Sequence, residues 1–161
     1  MAVKFEDLRV LQTAEELADE IWKLAVQWDD FARDVVGQQF ARAADSIGAN
    51  IAEAFGRFHY GERLQFLYFA RGSLFEAKYW LNRAASRDLV SGNQSQALAR
   101  RQNELAHQLN SFAAHIKSLR NTESKQPKTL RETAATYWID IPDDFPVDSL
   151  FTEAELLWLE S

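Results

Sequence analysis

The side chains of this chain that could do chemistry are few, and their spacing limits what they can do. Glu104-x-x-His107 has the spacing that puts a carboxylate and an imidazole on one helix face, as di-metal carboxylate bundles do. Such a site takes two of these motifs and two further glutamates on facing helices. No second Glu-x-x-His occurs, so no metal is expected. His59 and His115 complete the three histidines, and His59 falls in a predicted loop, where an exposed ring is the ordinary outcome. There is no cysteine, which excludes disulfides and thiolate metal sites. Ser46 and Ser73 sit within helical periods, where a hydroxyl bonds back to the preceding turn. No Gly-x-Ser-x-Gly elbow surrounds either. The six glycines are scattered, and Arg71-Gly72-Ser73 lies inside a helical period, so Gly72 serves close packing rather than an anion cradle. No catalytic constellation and no cofactor are expected.

Two polar groupings remain. Arg42, Ser46, Asn50, Glu53 and Arg57 recur at helical spacing and form one stripe. Glu53 and Arg57, four apart, suit an intrahelical ion pair worth a few tenths of a kcal/mol. The stripe reads first as a network fixing helix register or a subunit contact. A ligand or nucleic-acid contact built with Arg71 is the alternative. Arg83, Arg87, Arg100 and Arg101 gather near a predicted turn and form the best candidate for a nucleic-acid contact. A solvated end is the plainer reading of them.

Helices must position all of these groups. Apolar periodicity predicts four, over about residues 5–28, 31–57, 62–87 and 95–120. Gly37 marks an irregularity early in the second. Leu98, Gln102, Leu105, Leu109, Phe112, Ile116 and Leu119 keep strict four-three order, the narrow seam of bundle contacts. Short connections force neighbours to run antiparallel. The expected fold is all-α, an antiparallel up-down-up-down four-helix bundle over residues 1–120.

The second helix has three faces. Phe40, Ala44, Ile47, Ile51 and Phe55 make the core stripe, with the polar stripe opposite. Ala41, Gly48 and Ala52 lie between and leave little bulk, which lets a second backbone approach. On the third helix Leu64, Tyr68, Phe75 and Tyr79, with Gly72 between the halves, form a stripe opposite the main apolar arc. One core does not usually cover both arcs, and exposed apolar stripes mark contact sites. These eight residues, the small flank and the mostly aromatic stripe, are the expected oligomer interface.

Residues 121–136 read as a polar linker carrying Pro127. Residues 137–161 are apolar and acidic, an extended or strand-like piece followed by a short helix opened by the capping box Thr152-x-x-Glu155. Tyr137, Trp138, Phe145, Phe151 and Trp158 are too apolar to leave in water. The tail is expected to dock on its own bundle, a neighbouring subunit or another protein.

Charge weighs against nucleic acid. Residues 1–126 hold 16 basic and 16 acidic side chains, while residues 127–161 hold 2 and 8. Phosphate binding draws its affinity from charge neutralisation, and a neutral body supplies little. No apolar run approaches a membrane span of about 18 residues. The opening residues carry Glu6 and Asp7 and resemble no signal peptide. A cytoplasmic protein without membrane contact is expected.

Residues 46–57, SIGANIAEAFGR, and residues 66–76, FLYFARGSLFE, resemble the four-helix-bundle family of 23S rRNA intervening-sequence proteins. The family pattern falls on Ser46, Ile47, Asn50, Ile51, Ala52 and Glu53, then on Phe66, Leu67, Gly72, Ser73 and Glu76. Phe5, Leu8 and Gln12 fit its opening, and the likeness covers about the first 120 residues. Gly48 stands where the family has proline and Ala54 where it has glycine; both favour an uninterrupted helix. The resemblance implies a homo-oligomer, often a pentameric ring, without catalysis. Relatives serving diversity-generating retroelements bind RNA and a reverse transcriptase. The expected function is a non-enzymatic oligomeric scaffold or interaction protein; the alternative is an RNA- or DNA-binding accessory protein with its basic patch repeated around a ring. The tail, outside the likeness, is the expected route to an unknown protein partner.

Overall fold

The computed structural model describes residues 8–124 and 150–161, and among them every regular element is a helix. Most of the expected linker and the strand-like segment at 137–141 lie outside the described residues. The elements are α1 (Arg9–Ala25), α2 (Asp30–Ala32), a π-helical segment (Arg33–Gly37), α3 (Gln38–Gly56), α4 (Tyr60–Ser86), α5 (Gly92–Ser124) and α6 (Glu153–Glu160).

Local chemistry sets these boundaries. Asp29 caps α2, its Oδ1 accepting from the Ala32 amide at 3.0 Å. α2, the π segment and α3 then run on without leaving helical dihedrals. The extra residue in the π turn falls at the irregularity expected near Gly37; such a bulge shifts the buried face. Val36 and Gly37 are buried while Val35 is exposed. α4 closes with Asp88 in the left-handed region at φ 56°. The Leu89 amide donates to the Ala84 carbonyl at 3.0 Å and the Asp88 amide to Ala85 at 3.1 Å, the paired bonds of a Schellman close. α5 opens with Ser91 and Gln94 capping each other. It begins earlier than its apolar period suggests and extends into the expected linker. α6 has the expected capping box, with Thr152 and Glu155 satisfying each other's amides.

α1 packs on α3 and α5, α3 on α4, and α4 on α5, while α6 lies against α5. The core between them holds Leu17, Ile21, Phe40, Ile47, Ile51, Leu67, Leu74, Leu81, Leu105 and Leu109. Each such side chain contributes about 1.5–3 kcal/mol by leaving water. Two polar side chains are buried among the described residues, Lys78 and Gln102; Gln102 has no exposed surface, and neither end of its amide has a hydrogen-bond partner among the described residues.

The small flank of α3 faces α1. A Cβ on Gly48 would lie 3.9 Å from the Ala14 Cβ and 4.0 Å from Leu11. Ala41 is buried, and Gly48 and Ala52 line a shallow groove of about 310 Å³ between the two helices, rimmed by Glu15, Asp19 and Asp45. The small flank therefore meets α1 side chains at ordinary contact distance, with Gly48 and Ala52 still partly exposed. No helix among the described residues is long and apolar enough to cross a membrane.

Candidate functional site

Half of the polar stripe meets α4. Ser73 Oγ donates to Ser46 Oγ at 3.0 Å, and Asn50 Nδ2 donates to the Ser46 carbonyl at 2.7 Å. Asn50 also reaches Ser46 Oγ at 3.2 Å and Ser73 Oγ at 3.5 Å. The cluster is half-buried, and it pins α3 against α4. One turn further, Arg57 pairs with Glu53 and covers the Phe66 ring at 4.7 Å, while Arg63 Nε donates to the Arg57 carbonyl at 2.6 Å. These contacts tie each polar group to its own chain. Arg42 stays exposed.

The four candidate arginines share no single environment. Arg101 lies 2.9 Å from Glu20 and 3.4 Å from Glu16 on α1, so its charge is matched within the chain. Arg83 bonds Ser86 at 3.1 Å, and Arg87 is exposed at the end of α4. Arg100 lines an open groove of about 790 Å³ with Leu8, Arg9, His107, Phe112 and Glu160. Glu104 and His107 both line that groove, and Glu104 lies 3.6 Å from Arg9. No group of three or more His, Asp or Glu side chains among the described residues could hold a metal ion.

The densest constellation joins Arg71, Phe75, Phe151 and Trp158, each named in the sequence for a different reason, with Lys78, Asn103 and Asn110, which were not. Residues 150–161 lie in a groove between α4 and α5. Phe75 sits between Phe151 and Trp158, with ring centroids 5.7 and 5.5 Å away and planes 20° and 19° apart. Arg71 caps this stack: its guanidinium lies 4.7 Å from the Phe75 centroid and 5.5 Å from that of Phe151. It donates to the Leu150 carbonyl at 2.5 Å and pairs with Glu155. On α5, Asn110 accepts from the Phe151 amide at 2.7 Å and donates to the Phe151 carbonyl at 3.0 Å. Asn103, two turns earlier, donates to the Leu156 carbonyl at 2.7 Å. Lys78 is 2% exposed, with Nζ 5.7 Å from the Trp158 ring. Burial pushes its pKa down, because the interior penalises the ammonium. Burial also raises the Tyr68 pKa, against a smaller lowering by Arg71.

This docking revises the expected interface stripe. Leu64 is buried in the chain's own core, and Phe75 is covered by the tail's aromatic rings, so neither faces outward. Tyr68 is half-buried. Gly72 and Tyr79 remain exposed, Tyr79 at 53%, and Phe69 joins them at 49%. Among the described residues nothing lies within 4 Å of a Cβ built on Gly72, so their packing gives no reason for a glycine there. The signal for the tail groove was the pair Asn103 and Asn110, seven apart and hence on one face of α5.

The sequence profile of the 23S rRNA-intervening sequence proteins matches residues 6–111. The chain belongs to that family. A solved structure of similar shape is a protein of unknown function from the S23 ribosomal protein family of Bacteroides thetaiotaomicron. It is 25% identical with a TM-score of 0.59, and the match covers 65% of this chain and 97% of that one. No curated protein matches the chain in sequence.

Proposed function

We propose that this protein is a non-enzymatic homo-oligomeric scaffold, built as an antiparallel up-down-up-down four-helix bundle and working in the cytoplasm. Contact registers support the antiparallel reading. Between α3 and α4, Ser46 meets Ser73 while Arg57 meets Arg63, so one helix rises as the other falls. Between α1 and α5, Glu20 and Glu16 meet Arg101 while Arg9 meets Glu104. Between α1 and α3, Gly37 lies against Ala25 while Gly48 lies against Ala14.

The observation that carries the oligomer is the outer face of α4. Phe69, Gly72 and Tyr79 follow one another along that face, and they are exposed among the described residues, 150–161 included. Glycine inside an exposed helix costs about 1 kcal/mol relative to alanine, so its presence favours a close approach by another backbone. A second copy supplies that backbone most simply. The ring of five comes from the family resemblance alone.

Native mass spectrometry of the full chain tests this. The unmodified protein is expected as a homo-oligomer, and Phe69→Asp with Tyr79→Asp as a folded monomer. A monomeric unmodified chain, or an assembly untouched by both changes, would refute the reading. Nucleic-acid binding is the weaker alternative, because Glu16 and Glu20 already neutralise Arg101.

A further inference from the structure

Residues 150–161 are held as a peptide ligand is held. Asn110 bonds both backbone groups of Phe151, Arg71 donates to the Leu150 carbonyl and to the Glu155 carboxylate, and Asn103 donates to the Leu156 carbonyl. Side-chain specificity comes from the Phe151–Phe75–Trp158 stack and from Lys78 beneath Trp158. Main-chain bonds for affinity and pockets for selected side chains are the two parts of peptide recognition.

Recognition surface and occupant are separate parts of the sequence. Arg71, Phe75, Lys78, Asn103 and Asn110 all fall within the family match at 6–111, and residues 150–161 fall outside it. The connection between Ser124 and Leu150 is about 25 residues, with a contour of about 80 Å. Along α5, Asn110 lies only about 20 Å from Ser124. The covalent link is therefore long enough to reach a groove other than its own.

We propose that the α4–α5 groove is a peptide-recognition site whose ligand is exchangeable, and that residues 150–161 of a second copy occupy it. The contacts are the same whichever copy supplies the segment, so local concentration sets the choice between own and neighbouring groove. In an assembly that concentration is high, and exchanged tails would link copies independently of the outer face of α4.

The test uses the full chain with the photoreactive residue p-benzoylphenylalanine in place of Trp158. Ordinary and nitrogen-15 copies are mixed, unfolded, refolded together, irradiated and digested for mass spectrometry. Crosslinks from position 158 to α4 are expected, and a share of them, up to roughly half for full exchange between equal populations, should join light to heavy chains. Crosslinks only within like isotopes would show a tail confined to its own groove and overturn the proposal. Arg71→Ala with Asn110→Ala should lower the yield at least tenfold; an unchanged yield would overturn the groove as the recognition site. The isotope readout reports exchange whether or not Phe69 and Tyr79 join copies, so the two ideas fail separately.

Discussion

Gly37 in the π segment and Ala25 at the end of α1 touch so closely that a Cβ on Gly37 would fall 3.3 Å from the Ala25 Cβ. The Trp28 ring would stand 3.5 Å away on another side. Both helices are fixed there by the tight turn through Asp29, so the neighbours have little room to yield. Gly37→Ala is expected to destabilise the fold by about 1–3 kcal/mol through overpacking. Gly72→Ala meets open space and should stabilise the isolated fold by about 1 kcal/mol. Urea melts of the two variants decide the matter, and equal effects at both positions would contradict it.

Asn110→Ala removes both bonds to the backbone of Phe151, a residue with almost no exposed surface. Losing two side-chain-to-backbone bonds at a buried residue costs about 1–3 kcal/mol. The loss is local. Limited proteolysis should release the segment after residue 149 faster than in the unmodified chain, while the helical circular dichroism signal of the body stays. A cleavage rate equal to that of the unmodified protein would mean that Asn110 does not hold the segment.

Much of this architecture was legible because it rests on periodicity and capping. The stripe of Phe40, Ala44, Ile47 and Ile51 is buried as its spacing requires, and Thr152-x-x-Glu155 opens a helix as its letters require. Ser91-x-x-Gln94 is the same kind of cap, yet the apolar period starts only near residue 95 and hid the true start of α5. Periodicity gives a helix its faces without naming the neighbour on each. The small flank of α3 therefore pointed to a close neighbour, and only the packing shows α1 beside Gly48. The partners of Arg71 and Asn110 were illegible for a related reason: they lie about 80 and 40 residues away in sequence, beyond any local pattern.

Gln102 occupies a core position in the four-three seam of α5 with no partner for either end of its amide among the described residues. A buried amide without a bond costs about 1–3 kcal/mol. Gln102→Leu keeps the volume similar and removes the polar atoms, so thermal unfolding should move up by several degrees, about 1–3 kcal/mol in stability. The gain can come with lost specificity, since one polar core residue can fix helix register or oligomer state. Native mass spectrometry of the variant reads that second effect. A lowered melting temperature would show that the amide is satisfied in solution, for instance by a buried water.

Lys78 ties stability to alkaline pH. Burial holds its folded-state pKa below the ordinary 10.5, so the unfolded chain binds this proton more tightly. Stability then rises with pH between the lowered value and 10.5, because the cost of burying the ammonium disappears as it deprotonates. Tyr68 acts with the opposite sign. Its folded pKa lies above 10.0, so its contribution is complete below that pH and is lost above it. The Lys78 effect is therefore best read below pH 10.0. Lys78→Met removes the proton and also the contact with Trp158, worth about 0.5–1 kcal/mol. At neutral pH the variant should be at least as stable as the unmodified chain, since the buried charge is gone. Its stability should also be flatter on raising the pH toward 10.0. Urea melts at stepped pH measure both quantities. Parallel pH profiles for the two proteins would mean that the ammonium reaches water, and that Trp158 covers it less completely than the packing of α6 requires.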